Sequence, residues 1–574
     1  MTTTTAQAAY RRARRTQRIR GRGPVAIAAL ALVLAGCGGA GQAGAPGTTG
    51  TTGTPTAGTT AAGAAEDSTA EPGQNEAPTL HVAIGGESEE GFDPTLGWGR
   101  YGSPLFQSTL LARDSDLSIT TDLATAYEVS DDGLIWTVEL REDAFFTDGT
   151  PVTAADVAYT FSTAATQGGL TDVTGLADAV AIDEHTVELR LSEPRSAFIN
   201  RLVSLGIVPE HAHDEGYAQE PIGSGPYRFV EWQRGQQLVV ERNEDYYGQA
   251  PQFERVVFVF SDEDATLAAA RAGTVELAGV PAALATHEIP GMEVLAVESI
   301  DNRGISFPTV PDSGEVSPQG LPIGNNVTAD PAIRAAISYA VDRSALVDGI
   351  LEGFGSPATS PVDGAPWHEP SAEVGDNDPA EAERLLDEAG WTLADGASVR
   401  EKAGVAAEFA LLYPASDSLR QGLAVSVADM AGQVGIAITP EGVSWEQINE
   451  RLHTDAVMFG WGSHDPTELY NLHHSSLAGV GYWNPGYYSS PTVDTYLDQA
   501  MRATDDDAAN EAWRAAQLDS DGQGFTSDYP WVWLVNLDHT YFVDECLDLG
   551  DPQIEPHGHG WPITAGITSW RWTC

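Results

Sequence analysis

The sequence predicts a mixed α/β body made of two lobes. Short strands with alternating apolar residues and capped helices are interspersed along the chain, and no internal repeat is visible. The 574 residues are enough for more than one hydrophobic core, and 42% hydrophobic with 20% charged residues is typical of a globular protein. Together these observations favour a two-lobed α/β protein over a disordered chain.

Residues 1–36 have the form of a bacterial lipoprotein signal peptide. A cluster of arginines precedes the apolar run Pro24–Ala35, which is too short for a permanent membrane helix. The run ends in Leu34-Ala35-Gly36-Cys37, which resembles the lipobox that directs diacylglycerol onto a cysteine thiol. We predict lipidation at Cys37 and a protein anchored in the cell membrane on its extracytoplasmic face. Sec and twin-arginine export both stay open.

The segment 37–77 is predicted to be a flexible tether that begins at the lipidated cysteine. From Gly38 to Ala77 it consists almost entirely of Gly, Ala, Thr, Pro and Gln, which cannot bury a core. The other two cysteines, Cys546 and Cys574, form an even pair in an oxidising compartment. We expect a disulfide between them, and two free thiols are the alternative.

The folded body is predicted to begin at residue 80. The predicted strands are Leu80–Ile84, Trp136–Leu140, Thr186–Leu191, Tyr227–Trp232, Gln237–Arg242, Arg255–Phe260, Phe409–Tyr413 and Ala456–Gly460. The predicted helices are Thr153–Phe161, Glu263–Ala272, Pro331–Ser338, Pro379–Ala389 and Ser418–Val434. Thr153 suits a helix N-cap, and Gly390 and Gly435 suit helix ends. The second half is therefore richer in helices than the first.

The charge balance limits the possible partners. The chain carries 83 acidic and 29 basic residues, a formal net charge of -54. Such a surface repels phosphate backbones, so we expect no nucleic-acid partner. No Gly-x-Ser-x-Gly elbow with identifiable partners and no His-Glu-x-x-His helix is visible, which disfavours the alternative of a secreted hydrolase. We expect a protein that is not an enzyme and carries no cofactor.

Three separated stretches, in order along the chain, carry a family likeness. They are Trp136–Phe161, a strand, turn and helix; Pro221–Tyr227 followed by Arg242–Gly248; and Asp330–Arg343 followed by Leu385–Trp391. Together they resemble solute-binding protein family 5, the peptide- and nickel-type binding components of ABC importers. The likeness runs from Leu80 to about Trp572.

The resemblance implies a periplasmic-binding-protein-like fold of the large, peptide-binder type, with a hinge and an interlobe ligand cleft. Lobe one would combine residues 78–299 with 529–574, and lobe two would span 300–528, with a first crossing at Ser299–Gly304. Ligand capture would then be a hinge closure. The implied function is capture of short peptides, as a monomer, for delivery to ABC transporter permease subunits. A nickel chelate or another small polar solute is the alternative ligand.

Two loops are expected to carry the ligand contacts, Leu96–Tyr101 and Phe459–Pro466. The candidate ligand-binding residues are Trp98, Arg100, Tyr101, Asn302, Arg303, Gly460, Trp461, Gly462, Ser463, His464 and Asp465. The glycines would let a ligand main chain approach as an added strand, and the tryptophans would form apolar walls. Core packing is the alternative for Trp98 and Trp461. Asp465 could pair with a ligand α-amine, or could cap a turn before Pro466.

Histidines supply weaker candidates for a metal. His464, His473 and His474 lie close together in the sequence, and imidazoles are good nickel ligands. His557 and His559 have no carboxylate or cysteine at ligand spacing, so we expect an ordered loop there that packs Trp561. We predict no resident metal and place chelate binding second to peptide binding.

Overall fold

The computed structural model describes residues 79–84, 86–88, 91–102, 105–167, 171–372, 374–558 and 560–574. The predicted signal peptide, Cys37 and the predicted tether lie outside the described residues. None of the described helices has the length and apolar character needed to cross a membrane.

Strands occur throughout the described chain. They are β1 (Thr79–Ile84), β2 (Leu111–Arg113), β3 (Ile119–Thr121), β4 (Ala124–Val129), β5 (Ile135–Leu140), β6 (Leu176–Ala181), β7 (Thr186–Leu191), β8 (Tyr227–Gln233), β9 (Gln237–Arg242), β10 (Arg255–Phe260), β11 (Leu277–Val280), β12 (Met292–Ser306), β13 (Gly355–Pro357), β14 (Glu401–Lys402), β15 (Val405–Ala406), β16 (Glu408–Pro414), β17 (Ala437–Val443), β18 (Ala456–Trp461), β19 (Trp531–Asp544), β20 (Leu547–Asp548) and β21 (Arg571–Trp572).

Helices concentrate in the second half, as predicted. They are α1 (Ala154–Gln167), α2 (Ile199–Ser204), α3 (Glu263–Ala272), α4 (Ala282–Ala285), α5 (Pro331–Ala340), α6 (Arg343–Ile350), α7 (Pro379–Glu388), α8 (Ser418–Gln433), α9 (Trp445–Arg451), α10 (Thr467–His473), α11 (Pro491–Arg502), α12 (Asp506–Gln517) and α13 (Phe525–Asp528). The strands and helices predicted from the sequence are all present, with ends that differ by a few residues.

The large sheet is organised around two long antiparallel strands. Its order is β17-β16-β18-β12-β19-β11-β1-β10-β9-β8, with β13 also paired to β19. Strands β12 and β19 pair from Met292 opposite Asp544 to Ser306 opposite Trp531, with register shifts near residues 298–302 and 303–304. The predicted crossing at Ser299–Gly304 therefore lies within β12, which the sequence analysis did not predict as a strand. The lobe boundaries stay a prediction.

Separate hydrophobic cores lie on different parts of this framework. One includes Val82 on β1 and Phe258 on β10, and another includes Leu411 on β16 and Leu423 on α8. A third core packs α1 against the antiparallel sheet β4-β5-β7-β6, and its alternating strand β5 buries Trp136, Val138 and Leu140. Burial of one face of each element is the main force that holds these layers together.

A disulfide joins Cys546 to Cys574. The short strands β20 and β21 pair beside it, with Leu547 opposite Trp572, and the amide of Thr573 donates to the carbonyl of Cys546 at 2.8 Å. The disulfide therefore holds the residues after β21 against the segment that leads into β20.

We expect reduction of this disulfide to lower the melting temperature. The bond closes a loop with a sequence separation of 28, and a crosslink of that length restricts the unfolded chain by about 3–4 kcal/mol. Thermal unfolding followed by circular dichroism, with and without dithiothreitol, measures the effect. The double substitution Cys546→Ser and Cys574→Ser is the control, since its melting temperature should be low and insensitive to the reductant. An unchanged melting temperature on reduction would contradict the expectation.

Candidate functional site

A cavity of about 240 Å³ lies where the two predicted ligand loops meet. Its wall includes Arg100, Tyr101, Arg113, Asn200, Arg201, Ser463, His464 and Asp465, and residues 553–568 contribute further side chains. Five of the residues predicted from the sequence thus line one cavity, although about 360 positions separate the two loops in the sequence. The sequence analysis did not name Arg113, Asn200 or Arg201, because β2 and α2 carry no local motif that marks them.

Three arginines and two aspartates, Asp122 and Asp465, form the charged part of the cavity wall. Arg113 donates to the carbonyls of Leu117 at 3.0 Å and His464 at 3.2 Å, and also bonds the side-chain oxygen of Asn200. The guanidinium of Arg100 lies 4.7 Å from the centre of the Tyr101 ring and forms no ion pair within the described part of the chain. In a chain with a net charge of -54, this wall is locally suited to a ligand with negative or hydrogen-bond-accepting groups.

The structure gives Asp465 partners within the protein. Its Oδ2 pairs with Arg201, and its Oδ1 accepts from the Asn200 amide at 3.2 Å and from the backbone N–H of Thr467 at 2.9 Å. Both carboxylate oxygens are therefore engaged in this conformation. The expected pairing with a ligand α-amine would require Asp465 to exchange Arg201 for the ligand.

A buried cluster of charged side chains lies behind Tyr101, on and beside the two long strands. Asp301 pairs with Arg303, and it also accepts from His557 Nδ1 at 2.9 Å and His539 Nε2 at 3.1 Å. His539 Nδ1 contacts Glu555 Oε2 at 2.5 Å. Burial opposes a charge on His539, but bonds to Asp301 and Glu555 outweigh it and raise its pKa to about 10. Burial likewise opposes a charge on Asp301, yet Arg303 and His557 hold its pKa well below the usual range.

Glu468 is a buried acid beside the second ligand loop, next to Gly462. Burial raises its pKa to about 8, so it is mostly protonated at neutral pH. Its Oε2 accepts from the backbone N–H of Gly462 at 3.2 Å, while its Oε1 has no hydrogen-bond partner among the described side chains and backbone groups. A protonated carboxyl is a hydrogen-bond donor as well as an acceptor, so Glu468 adds a neutral donor beside the second loop.

The two glycines of the second loop are required by the protein's own packing. A Cβ on Gly460 would lie 2.5 Å from Arg303 Nη1 and 2.8 Å from Arg420 Nη2. Gly462 has a φ of +148°, and a Cβ there would overlap the backbone carbonyl of Ile300. The sequence analysis attributed both glycines to the approach of a ligand main chain. Contacts between β12, α8 and this loop are sufficient to explain them.

The tryptophans and Asn302 lie in packed surroundings. Trp98 is 7% exposed and packs edge-on against Phe92 at 4.8 Å and Trp561 at 4.9 Å, so it belongs to the core and does not line the cavity. Its expected role as a cavity wall fails because Trp561 and Phe92 surround its ring. Trp461 is buried against Trp483, with ring centres 5.0 Å apart. Asn302 is buried and donates to the carbonyl of Pro361 at 2.9 Å.

The histidines considered for a metal do not form one group. Within the described residues, no three or more His, Cys, Asp or Glu side chains are placed to hold a metal ion. His473 stacks on Phe525 and His474 on Tyr470, away from His464 in the cavity wall. Burial lowers the pKa of both His464 and His473 to about 3. His559 lies outside the described residues.

Comparison with known proteins identifies the family. The sequence profile of the bacterial extracellular solute-binding proteins, family 5 (middle region), matches residues 118–483. The chain is 35% identical over 516 residues to Protein XP55 of Streptomyces lividans, covering 87% of this chain and 91% of that protein. It is 26% identical over 427 residues to the oligopeptide-binding protein AppA of Bacillus subtilis, covering 70% of this chain and 76% of AppA.

Solved structures share the fold. NikZ from Campylobacter jejuni in complex with Ni(L-His) superposes with a TM-score of 0.76 at 23% identity, covering 86% of this chain and 99% of NikZ. AppA from Bacillus subtilis in complex with a nonapeptide gives a TM-score of 0.70 at 22% identity, covering 87% of this chain and 99% of AppA. The α/β body therefore has the two-lobed periplasmic-binding-protein fold, and the chain belongs to family 5 of the bacterial extracellular solute-binding proteins.

Proposed function

We propose that this protein captures short peptides outside the cytoplasm and delivers them to the permease subunits of an ABC importer. It acts as a monomeric binding protein without catalytic activity, tethered to the cell membrane by a lipid on Cys37. The observation that supports this most directly is the polar cavity formed by the two loops around Tyr101 and His464. Among the relatives, AppA is named for oligopeptides and GsiB of Escherichia coli for glutathione, itself a short peptide.

The size of the cavity favours a small ligand. Its volume of about 240 Å³ lies below the range of roughly 300–1,000 Å³ that is typical of drug-sized ligand sites. Arg113 donates to the carbonyl of His464 and Arg201 pairs with Asp465, so contacts within the wall join β2 and α2 to the second loop.

The polar groups at the cavity suit the main chain of a peptide. Arg100, in the cavity wall, supplies a cation that is not already paired with a described acid. Tyr101 and Ser463 add hydroxyl groups to the wall. Such groups recognise carbonyl oxygens and carboxylates that every peptide carries, and they place few demands on its side chains.

A metal chelate is the second candidate ligand, on account of His464. Its imidazole is neutral at pH 7 because burial lowers its pKa to about 3, and its Nε2 has no hydrogen-bond partner in the described residues. A neutral imidazole in a cavity wall is a suitable nickel ligand. With a single histidine, the chelator would have to supply most of the other ligands.

Native mass spectrometry of the full chain, purified gently from its host, tests the proposal. We expect a set of short peptides bound at one per protein. Tyr101→Ala removes a ring from the cavity wall and should reduce peptide occupancy, whereas Tyr127→Ala, at a 38% exposed tyrosine on β4, should not. A nickel-containing small complex in place of peptide would refute the peptide proposal, and His464→Ala should then abolish its binding.

The raised pKa of Glu468 predicts a measurable dependence of stability on pH. The folded protein holds this proton more tightly than the unfolded chain, so the contribution of Glu468 to stability is largest at low pH and declines from about pH 4.5 to about pH 8. As the pH rises from about 4.5 to about 8, the free energy of unfolding of Glu468→Gln should therefore fall less than that of the wild type. Urea unfolding at about pH 5 and about pH 8 measures the difference.

The exposed substitution Glu446→Gln on α9 is the matched control and should retain the pH dependence of the wild type. If Glu468→Gln and the wild type lose equal stability between the two pH values, Glu468 ionises normally in the folded protein.

A further inference from the structure

Two buried arginines lie side by side near the strand that carries the second loop. Arg303, on β12, is opposite Gly460 on β18, and Arg420 is in the first turn of α8. Each is 7% exposed. Because a Cβ on Gly460 would approach the guanidinium groups of both arginines within 2.8 Å, both groups lie over the same backbone atom. Only a glycine leaves room for them.

The protein satisfies these guanidinium groups only in part. Nη1 of Arg303 bonds Asp301 and the carbonyl of Asn302, and Nη1 of Arg420 bonds Asp417. The Nε atoms of both arginines are buried and have no hydrogen-bond partner within the described ranges. Buried donors without partners are uncommon in folded proteins and each needs an explanation, of which a bound acceptor is one.

Arg343 shows what a structural buried arginine looks like in the same protein. It is 1% exposed, and its three nitrogens all donate: Nε to the carbonyl of Trp533 at 2.8 Å, Nη1 to the carbonyl of Gly375 at 2.8 Å, and Nη2 to the hydroxyl of Ser338 at 2.9 Å. Arg303 and Arg420 differ from it in the donors that they leave open.

The acids beside the two arginines are already engaged. Asp301 also accepts from His539 and His557, and Asp417 accepts from the backbone N–H of Arg420 at 2.7 Å as the N-cap of α8. Burial and the positive charge of Arg303 both lower the pKa of Arg420, which reflects the repulsion between the two groups. An additional anion would reduce that repulsion, whereas a cation would increase it.

The pair lies close to the proposed ligand cavity. Tyr101, in the cavity wall, packs edge-on against His557 with ring centres 5.7 Å apart, and His557 bonds Asp301, the partner of Arg303. Gly460 is also only three residues before Ser463, another residue of the wall. Tyr101 and Ser463 therefore link the cavity wall to the arginine pair, which lies behind that wall and is not among its lining residues.

We propose that Arg303 and Arg420 form a subsite for a carboxylate of the bound ligand, at the inner side of the Tyr101 wall. A guanidinium offers parallel N–H donors that match the two oxygens of a carboxylate. This subsite rests on the proposed function, because it would determine which of the captured peptides bind well. The carboxylate is the C-terminus of a peptide or the side chain of an acidic residue within it.

Peptide libraries test the subsite on the full chain. Three equimolar tripeptide libraries are offered at neutral pH. The first has free C-termini. The second has amidated C-termini and no Asp or Glu, and the third has amidated C-termini and one Asp or Glu in each peptide. Retention is measured by native mass spectrometry. We expect the free-acid library to be retained about tenfold or more above the amidated library without acidic residues, as for the loss of one charge-assisted pair. Retention of the acidic amidated library would assign the carboxylate to a side chain.

Arg420→Gln and Arg303→Gln should remove this preference for a carboxylate. Arg420→Lys keeps the positive charge but lacks the parallel N–H donors of a guanidinium, so it should weaken the preference for a carboxylate. Arg384→Gln, at an arginine on α7 whose side chain is about half exposed, changes the net charge equally and should leave the preference intact.

The outcomes separate the subsite from the proposed function. Equal retention of the free-acid library and the amidated library without acidic residues by the wild type would overturn the subsite while peptide capture stands. Retention of none of the three libraries would overturn peptide capture itself, and the subsite with it. The comparison on the wild type decides the question even if an arginine variant fails to fold.

Discussion

The pairing of β12 with β19 is the constraint on which the rest of the structure depends. These two strands run antiparallel through the centre of the large sheet, with β18 and β16 on one side and β11, β1 and β10 on the other. Both parts of the sheet are therefore held in register by one ladder of backbone hydrogen bonds. The register shift near residues 298–302 falls where Asp301 turns toward His539 and His557, so an irregularity in the ladder places the buried charges.

Buried charge is the second consequence of that pairing. Removing Asp301, Arg303 and His539 from water is unfavourable unless each finds hydrogen-bond partners. Asp301 and His539 have such partners, whereas the Nε of Arg303 has none among the described residues. Buried atoms without a partner occur in several parts of the described chain, and those beside the second loop belong to Arg303, Arg420, Trp461, His464 and Glu468. Arg303 and Arg420 leave donors open in a chain that satisfies Arg343 completely, so an additional acceptor could be accommodated beside this loop.

Local signals in the sequence placed residues near one another more readily than signals that depend on distant neighbours. Arg100, Tyr101, Ser463, His464 and Asp465 were predicted as ligand contacts because they follow strands in loops with glycine, and they line one cavity. Trp98, two residues before Arg100, was assigned to the same loop surface, but its ring is enclosed by Phe92 and Trp561. No pattern in the sequence indicates that residues 463 positions apart in the chain will pack on each other.

The sequence by itself determined the fold class, the order of most elements and the family, because alternating strands, capped helices and motif spacing are properties of short segments. The long strand β12, the arginine pair above Gly460 and the partner of Asp465 were decided only by the tertiary structure. The physical reason is that burial and hydrogen-bond satisfaction are set by groups that meet in space. Whether a carboxylate is free, paired or protonated follows from those neighbours, and not from its place in the chain.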